Sequence, residues 1–349
     1  MIDIDLLKLN KELEADKNEY KFDAYKVSVI IPAYNIEGYI CDCLQSVRNQ
    51  SLSDIEIIVI NDGSVDKTAE IVEIFAKHDL RIKLINQENQ RVGAARNNGV
   101  TSAKGEYIVF VDGDDELENT AIEELYKTIS SNGVDVAVFG ASNFINNECK
   151  AGSYSVEKIP NNLKNKILYP EQIQKNLFKF PVLSMCKIYK KSFLEKNNIK
   201  FQKVRSGEDQ IFHINSLLSA EKIYVLNKNL YKYRRNRKNS LTYSKQKKDN
   251  SPIMNFYAIE EFLRNNNFSK NLNYKILNKY FVKCVSWLGK CSAEYKSDYN
   301  KDLKELQSFL KKNYPEYYWK NVKFDEKSSY YGLKFNIIMG KFFRGENAK

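Results

Sequence analysis

Only two histidines, His78 and His213, stand in the 349 residues, and the six cysteines at 41, 43, 149, 186, 284 and 291 form no CxxC pair. A Cys/His zinc site therefore lacks ligands at a workable spacing. Cys41 and Cys43 lie two apart in a predicted helix and face different ways, so the cysteines are expected reduced and mostly in the core. No run of about eighteen uncharged apolar residues occurs, which argues against a membrane-spanning helix. The opening MIDIDLLKLNKELEADKNE is acidic and helical in pattern, unlike a secretory signal, so a cytoplasmic location is expected. Neither GxGxxG nor GxxxxGK[ST] is present, which removes the fingerprints of dinucleotide binding and of phosphate-cradling NTPases. No EF-hand spacing follows the acidic run at 112–116, and no internal repeat is found.

What is present is a globular composition, 43% hydrophobic and 28% charged, in a chain long enough for one large domain or one and a half. The net charge of +11 hides an asymmetry: residues 1–150 carry 15 Lys+Arg against 27 Asp+Glu, and residues 151–349 carry 40 against 17. A lysine-rich proteome is the plain account. The sharper one is that the basic half faces phospholipid headgroups, a lipid-linked phosphate or nucleic acid. Nucleic acid is set aside as a partner, because the basic residues are diffuse and no RRM, helix–turn–helix or zinc signature accompanies them.

Apolar runs and helical periods alternate for over a hundred residues. Strands are expected at 27–31 (stopped by Pro32), 55–60, IKLINQ, EYIVFVD and DVAVFG. Helices are expected at 38–49, TAEIVEIFAKH, GAARNNGVTSA and after Asn119 as cap. The expectation is an α/β fold, a mostly parallel twisted sheet with helices on both faces. Later come the helical DQIFHINSLLS, two strands, IYVLN and LYKYRR, and an all-helical stretch beyond Ser251. A leading amphipathic helix is expected over 6–20, with Leu6, Leu9 and Leu13 on one side. Three polar clusters, PAYN, NDGSVD and DGDDE, follow strands, and ligands of such sheets bind beyond the strands' carboxyl ends.

The run FVDGDDE packs carboxylates that repel one another unless a cation sits among them. A hard divalent ion such as Mg²⁺ or Mn²⁺ binds through one or two carboxylates and the oxygens of a substrate phosphate. Asp112 ends the strand, Gly113 permits a turn and Asp114 follows; an ordinary acidic helix cap is the plainer alternative. Asp62 and Asp66 sit after the second strand, with Gly63 for the turn and Ser64 and Thr68 available for capping.

IIPAYN, VINDGSVDKT, ENQRVGAARNNG, FVDGDD and GEDQIFHINSL, in that order, resemble a bacterial family-two, inverting, GT-A-type glycosyltransferase over about residues 26–235. The resemblance implies a UDP-sugar donor, Mn²⁺ or Mg²⁺, and a hydroxyl acceptor on a glycan or lipid-linked glycan, for capsule, lipooligosaccharide or another surface polysaccharide. It implies that Pro32, Ala33, Tyr34 and Asn35 frame the uracil pocket, with Tyr34 stacking, and that Asp62 contacts the base while Asp66 organises its loop. Arg96 lies near the diphosphate or braces the acidic loop. Asp112 points toward the ribose and the metal, Asp114 takes the metal, Gly113 between them belongs to the cofactor-binding set, and Asp115 assists. Asp209 is the implied base that deprotonates the acceptor, with Glu208 beside it, although two acids in a first helical turn also suit a plain helix start. His213 is read as a packed structural residue. Arg91 stands where many members have glycine. The implied layout is an extension over 1–25, a nucleotide-sugar half over 26–140, an acceptor and base half over 141–250, and a basic helical extension over 251–349. A nucleotidyltransferase, or a nucleic-acid- or membrane-binding module on a degenerate transferase fold, is the alternative. The segments 232–240 and 244–248 and the tail from 328 are expected to suit an anionic membrane face, making the enzyme peripheral there.

Overall fold

The computed structural model describes residues 5–14, 24–146, 148–235 and 249–315. After α1 (Leu6–Glu14), strand and helix alternate: β1 (Val27–Ala33), α2 (Ile40–Arg48), β2 (Ile55–Asn61), α3 (Thr68–His78), β3 (Ile82–Asn86), α4 (Arg91–Ser102) and β4 (Tyr107–Phe110). Every residue of β1, β2 and β4 is buried, which is why these strands are mostly apolar rather than alternating; Ser28 and Glu56, buried polar exceptions, hydrogen-bond each other. There follow β5 (Glu116–Leu117), α5 (Ala121–Asn132), β6 (Val136–Ile145), β7 (Glu148–Ala151), β8 (Ile167–Leu168), α6 (Pro170–Asn176), β9 (Lys187–Lys190), α7 (Lys191–Lys196), α8 (Glu208–Ser219) and β10 (Ile223–Arg234).

The described strands form one mixed sheet in the order β3-β2-β1-β4-β9-β6-β10-β5, with β7 on β6 and β8 on β10. The first four are mutually parallel, as are β6 and β10. Between them β9 runs antiparallel to both β4 and β6, joining the two halves of the sheet. The sequence reading missed β9, because KIYK is four residues long with lysine at each end and has no readable period. IYVLN and LYKYRR are one strand, not two; irregularities between Val225 and Tyr231 bend β10 without ending it.

Pro32 does not stop β1, which continues to Ala33 beside Asn61 of β2. The β4 pairing ends at Ile30 and Phe110, and Ile30 O already turns toward Val111 N. Pro32, two residues on, faces the same side beyond that last pairing, where its missing N–H leaves no ladder bond unmade. Other differences are local. The residue before α5 is Thr120 rather than Asn119, and α4 opens at Arg91, two residues earlier than expected. Of the expected 6–20 helix, Leu6–Glu14 is helical, Leu13 is buried, and residues 15–20 lie outside the described residues. Asn10 Oδ1 meets His78 Nε2 at 3.0 Å, placing α1 on α3.

An aromatic cluster joins the end of β4 to α8. Phe201 and Phe212 stack with centroids 3.8 Å apart, and Phe110 meets them edge-on at 5.1 and 5.7 Å. Each such pair adds about 0.5–1.5 kcal/mol beyond burial. Phe110 immediately precedes Val111–Asp112, and Phe212 lies one turn beyond Glu208 and Asp209. Packing these rings therefore brings acids more than ninety positions apart in sequence to one place.

The chain divides into two compact units, Met1–Tyr243 and Ser244–Lys349. In the second, α9 (Ser251–Asn265), α10 (Lys270–Leu288) and α11 (Ala293–Asn313) bury Phe256, Ile259, Ile276, Phe281, Leu303 and Leu306. Tyr299 Oη donates to Cys284 O at 2.9 Å within this core. Among the described residues no helix is long and apolar enough to cross a membrane. The six cysteines are free; Cys43, Cys186 and Cys284 are buried and Cys149 is exposed.

Candidate active site

The carboxyl ends of β1, β2 and β4 lie side by side, so the loops that follow them share one edge. Beyond β1, Tyr34 is half-exposed while Pro32 and Ala33 are buried. Asn35 adopts φ 49°, donating its N–H to Ser64 Oγ (3.0 Å) and accepting from Val65 N through Oδ1 (2.9 Å). Thr68 Oγ1 accepts from Ile36 N at 2.9 Å. Ser64 and Thr68 thus tie the β1 and β2 loops together instead of capping α3. Asp66 takes the N–H groups of Glu37 and Thr68, at 3.1 and 3.0 Å, and is an organiser of this loop pair. Gly63, at φ 76°, supplies the left-handed turn.

Asp62 is buried at the end of β2. Its Oδ1 accepts from Gln87 Nε2 (2.7 Å) and Gln90 N (2.8 Å), which ties it to the start of α4. Gln87 and Gln90 were not singled out from sequence, since amides in a polar loop carry no periodic signal.

Arg96 is the centre of the site. Its Nη2 donates to Asp112 Oδ1 at 2.6 Å, and its Nη1 to Glu208 Oε1 at 3.0 Å and Asp209 Oδ1 at 3.4 Å. The guanidinium lies 5.1 Å from the Phe201 ring centre and is 2% exposed. Burial works against its charge, but the carboxylates of Asp112, Asp209 and Glu208 outweigh that and raise its pKa. Of the two placements implied for Arg96, the structure has it bracing the acidic loop and, beyond that, bridging the loop to α8. Burial and the neighbouring Asp209 charge push the Glu208 carboxyl up to about 7, against the pull of Arg96. Asp209 is partly exposed and also accepts Ser184 N at 3.1 Å. His213 is buried with Nε2 3.3 Å from Leu177 O, a packed position as expected.

The oxygens of Asp112, Asp114 and Asp115 lie within 4.8 Å of one another. Their donor chemistry fits a hard divalent cation. Asp115 is already hydrogen-bonded at both oxygens: its Oδ2 accepts from Tyr231 Oη (2.7 Å) and its Oδ1 from Arg234 N (2.7 Å). Burial, with the charges of Asp114 and Asp112, pushes its pKa well up. Asp112 and Asp114 are the less buried members of the cluster, and Asp115 lies fully buried behind them. Tyr231 Oη also accepts the Asp112 N–H at 3.0 Å. Gly113 is not in a left-handed turn; a Cβ there would displace the end of the Ile36 side chain and crowd Pro32 O.

Arg234, expected from sequence to meet a membrane or lipid phosphate, is committed inside the site. It donates to Asp114 O (2.9 Å), Asp42 (3.1 Å) and Glu116 (2.6 Å). Lys232 pairs with Glu118 at 3.5 Å. Residues 236–248 and the tail from 316 lie outside the described residues.

A sheet that gathers strand-end acids beside a helix-borne carboxylate is the architecture of a GT-A glycosyltransferase. The model of the family described as Glycosyl transferase family 2 matches residues 28–196. The chain is 35% identical over 223 residues to the uncharacterized glycosyltransferase EpsJ of Bacillus subtilis, covering 62% of each chain. It is 37% identical to glycosyltransferase GlyA of Streptococcus pneumoniae over 60% of this chain and 30% of that one. It is 30% identical to a GalNAc(5)-diNAcBac-PP-undecaprenol beta-1,3-glucosyltransferase of Campylobacter jejuni over 80% of this chain and 88% of that one. The chain thus spans less than two thirds of the first two relatives and most of the third. The crystal structure of S. aureus TarS 1–349 with UDP-GlcNAc superposes with a TM-score of 0.64 at 23% identity, covering 82% of this chain and 81% of that one, a likeness of fold. This chain belongs to glycosyl transferase family 2.

Proposed function

We propose that the chain transfers a hexosyl or N-acetylhexosaminyl group from a UDP-sugar to a hydroxyl of a glycan or lipid-linked acceptor, with inversion, in bacterial surface-polysaccharide synthesis. One observation carries the reading: a single buried guanidinium gathers Asp112, from the loop after β4, and the helix-start carboxylates Glu208 and Asp209 into one cluster. The relatives support the donor and acceptor classes, since one is titled a beta-1,3-glucosyltransferase for an undecaprenol-linked glycan and a structural neighbour was crystallised with UDP-GlcNAc.

Pro32, Ala33, Tyr34 and Asn35 frame the nucleotide base in this reading, with Asp62 beside it. Asp112 and Asp114 would hold Mn²⁺ or Mg²⁺, which when bound offsets the charge on a departing diphosphate. Asp209 accepts the proton of the acceptor hydroxyl as its oxygen attacks the anomeric carbon from the face opposite the nucleotide. The bond from that carbon to the diphosphate breaks, its electron pair leaves with UDP, and an α-linked donor yields a β-linkage. Arg96 and Ser184 N–H keep the carboxylate aimed.

A screen of nucleotide sugars for turnover, with and without Mn²⁺, tests the reading, together with Asp209→Asn. The expected result is UDP binding within about threefold of the parent and transfer lowered by about 10²-fold or more. Near-normal transfer by that variant would falsify the base assignment.

A further inference from the structure

Lys187 is fully buried at the start of β9, and no carboxylate lies within salt-bridge distance of it among the described residues. A buried ammonium without a close counter-ion is normally disfavoured, because burial removes its hydration. Here its Nζ donates to two main-chain carbonyls, Pro181 O at 2.6 Å and Leu183 O at 2.8 Å. Two residues along the same face of β9, Tyr189 Oη donates to Ser184 O at 3.3 Å. Both side chains therefore reach back from one strand to the same short turn, 181–184. That turn presents the Ser184 N–H to Asp209 Oδ1 at 3.1 Å.

The anchoring strand is rigid, since β9 is hydrogen-bonded on both sides, with Ile188 opposite Val109 and Lys187 opposite Val138. A loop N–H can aim a carboxylate only if the loop cannot shift, so an ammonium gripping two of its carbonyls is the feature that makes Ser184 a fixed donor. Burial pushes the Lys187 pKa down to about 8, opposed by the neighbouring Cys186 and by the negative charge of Asp209.

We propose that Lys187 is a positioning residue for Asp209, acting from β9 through the 181–184 turn whose main-chain N–H orients the carboxylate. The proposal rests on Asp209 being the base. It adds a component that lies fully buried behind the site.

The test is a double-mutant cycle on the full chain. Lys187→Met, Asp209→Asn and the double variant are compared for UDP binding with Mn²⁺ by calorimetry. Turnover is measured with the nucleotide sugar selected by the donor screen. Lys187→Met is expected to keep UDP affinity within threefold and donor KM unchanged, and to lower kcat at least tenfold. In the Asp209→Asn background the same change is expected to lower turnover less than twofold. A kcat within twofold of the parent, or an equal tenfold loss in the Asp209→Asn background, overturns the proposal. Failure of the base reading is separate: it appears as normal turnover by Asp209→Asn alone. If Lys187→Met also loses UDP binding, Tyr189→Phe carries the test, since it deletes one hydroxyl from the same tether. A threefold or greater fall in kcat that vanishes in the Asp209→Asn background is then expected, and unchanged kcat overturns the proposal.

Discussion

Arg96 offers one guanidinium to three carboxylates, and its removal leaves Asp112, Glu208 and Asp209 facing one another in a largely buried space. Breaking such a pair by deleting one partner costs about 3–5 kcal/mol. Arg96→Met is expected to lose stability on that scale in urea unfolding, besides losing turnover. Glu208 makes a pH-dependent contribution of its own. Its carboxyl is raised from 4.5 to about 7 in the folded chain, so the folded state holds that proton more tightly than the unfolded one. Stability from this group is complete below the unfolded value and is lost as pH rises through about 7. Glu208→Gln, neutral throughout, should flatten the fall in urea midpoint between about pH 4.5 and 7.5 relative to the parent. An unchanged slope would assign that dependence to other groups. The motif residues themselves were legible because Asp, Asn and Gly at strand ends announce a site. Arg96 was legible only as a cation near it, because nothing in AARN says which acids it will meet.

Two elements illustrate how local strain and support shape the site. Arg91 opens α4 at φ 74°, a left-handed conformation that opposes a side chain. Its being non-glycine costs roughly 1 kcal/mol. Arg91→Gly is expected to raise the melting temperature of the α/β unit by about 2–4 °C, read by differential scanning calorimetry. Strand β10 supports the acidic loop from behind through Tyr231, whose hydroxyl joins Asp115 to the Asp112 N–H. Tyr231→Phe keeps the ring and removes that link. Groups that orient ligands in this way typically change metal affinity 10–100-fold, so Mn²⁺ binding measured by calorimetry with UDP should weaken by about tenfold. The strand was readable as LYKYRR, but its arginine was not assignable. A basic run at the end of a sequence segment looks solvent-facing until the sheet order sets Arg234 against Asp42, Asp114 and Glu116.

For the whole molecule, the charge asymmetry is the feature that site geometry does not use up. Lys232 and Arg234 are paired internally, yet residues 151–349 carry 40 basic against 17 acidic side chains. A peripheral association with an anionic membrane face is therefore proposed. The protein should float with phosphatidylglycerol vesicles at low ionic strength and be released by salt, as screening shortens the reach of each charge. Failure to float at low salt removes the membrane reading and leaves the transfer reading standing.

Sequence alone determined what depends on neighbours along the chain. The alternation of buried strands with amphipathic helices, the acid-bearing strand ends and the helix start at Glu208 each have a local cause in burial, turn chemistry or helix period. Tertiary structure alone decided what depends on distant partners. Examples are the antiparallel insertion of β9, the continuation of β1 through Pro32, the inward role of Arg234, and the meeting of Asp112 with Asp209 across Arg96. These follow from sheet order and from the packing of Phe110 on Phe201 and Phe212, and no local pattern encodes which strand lies beside which.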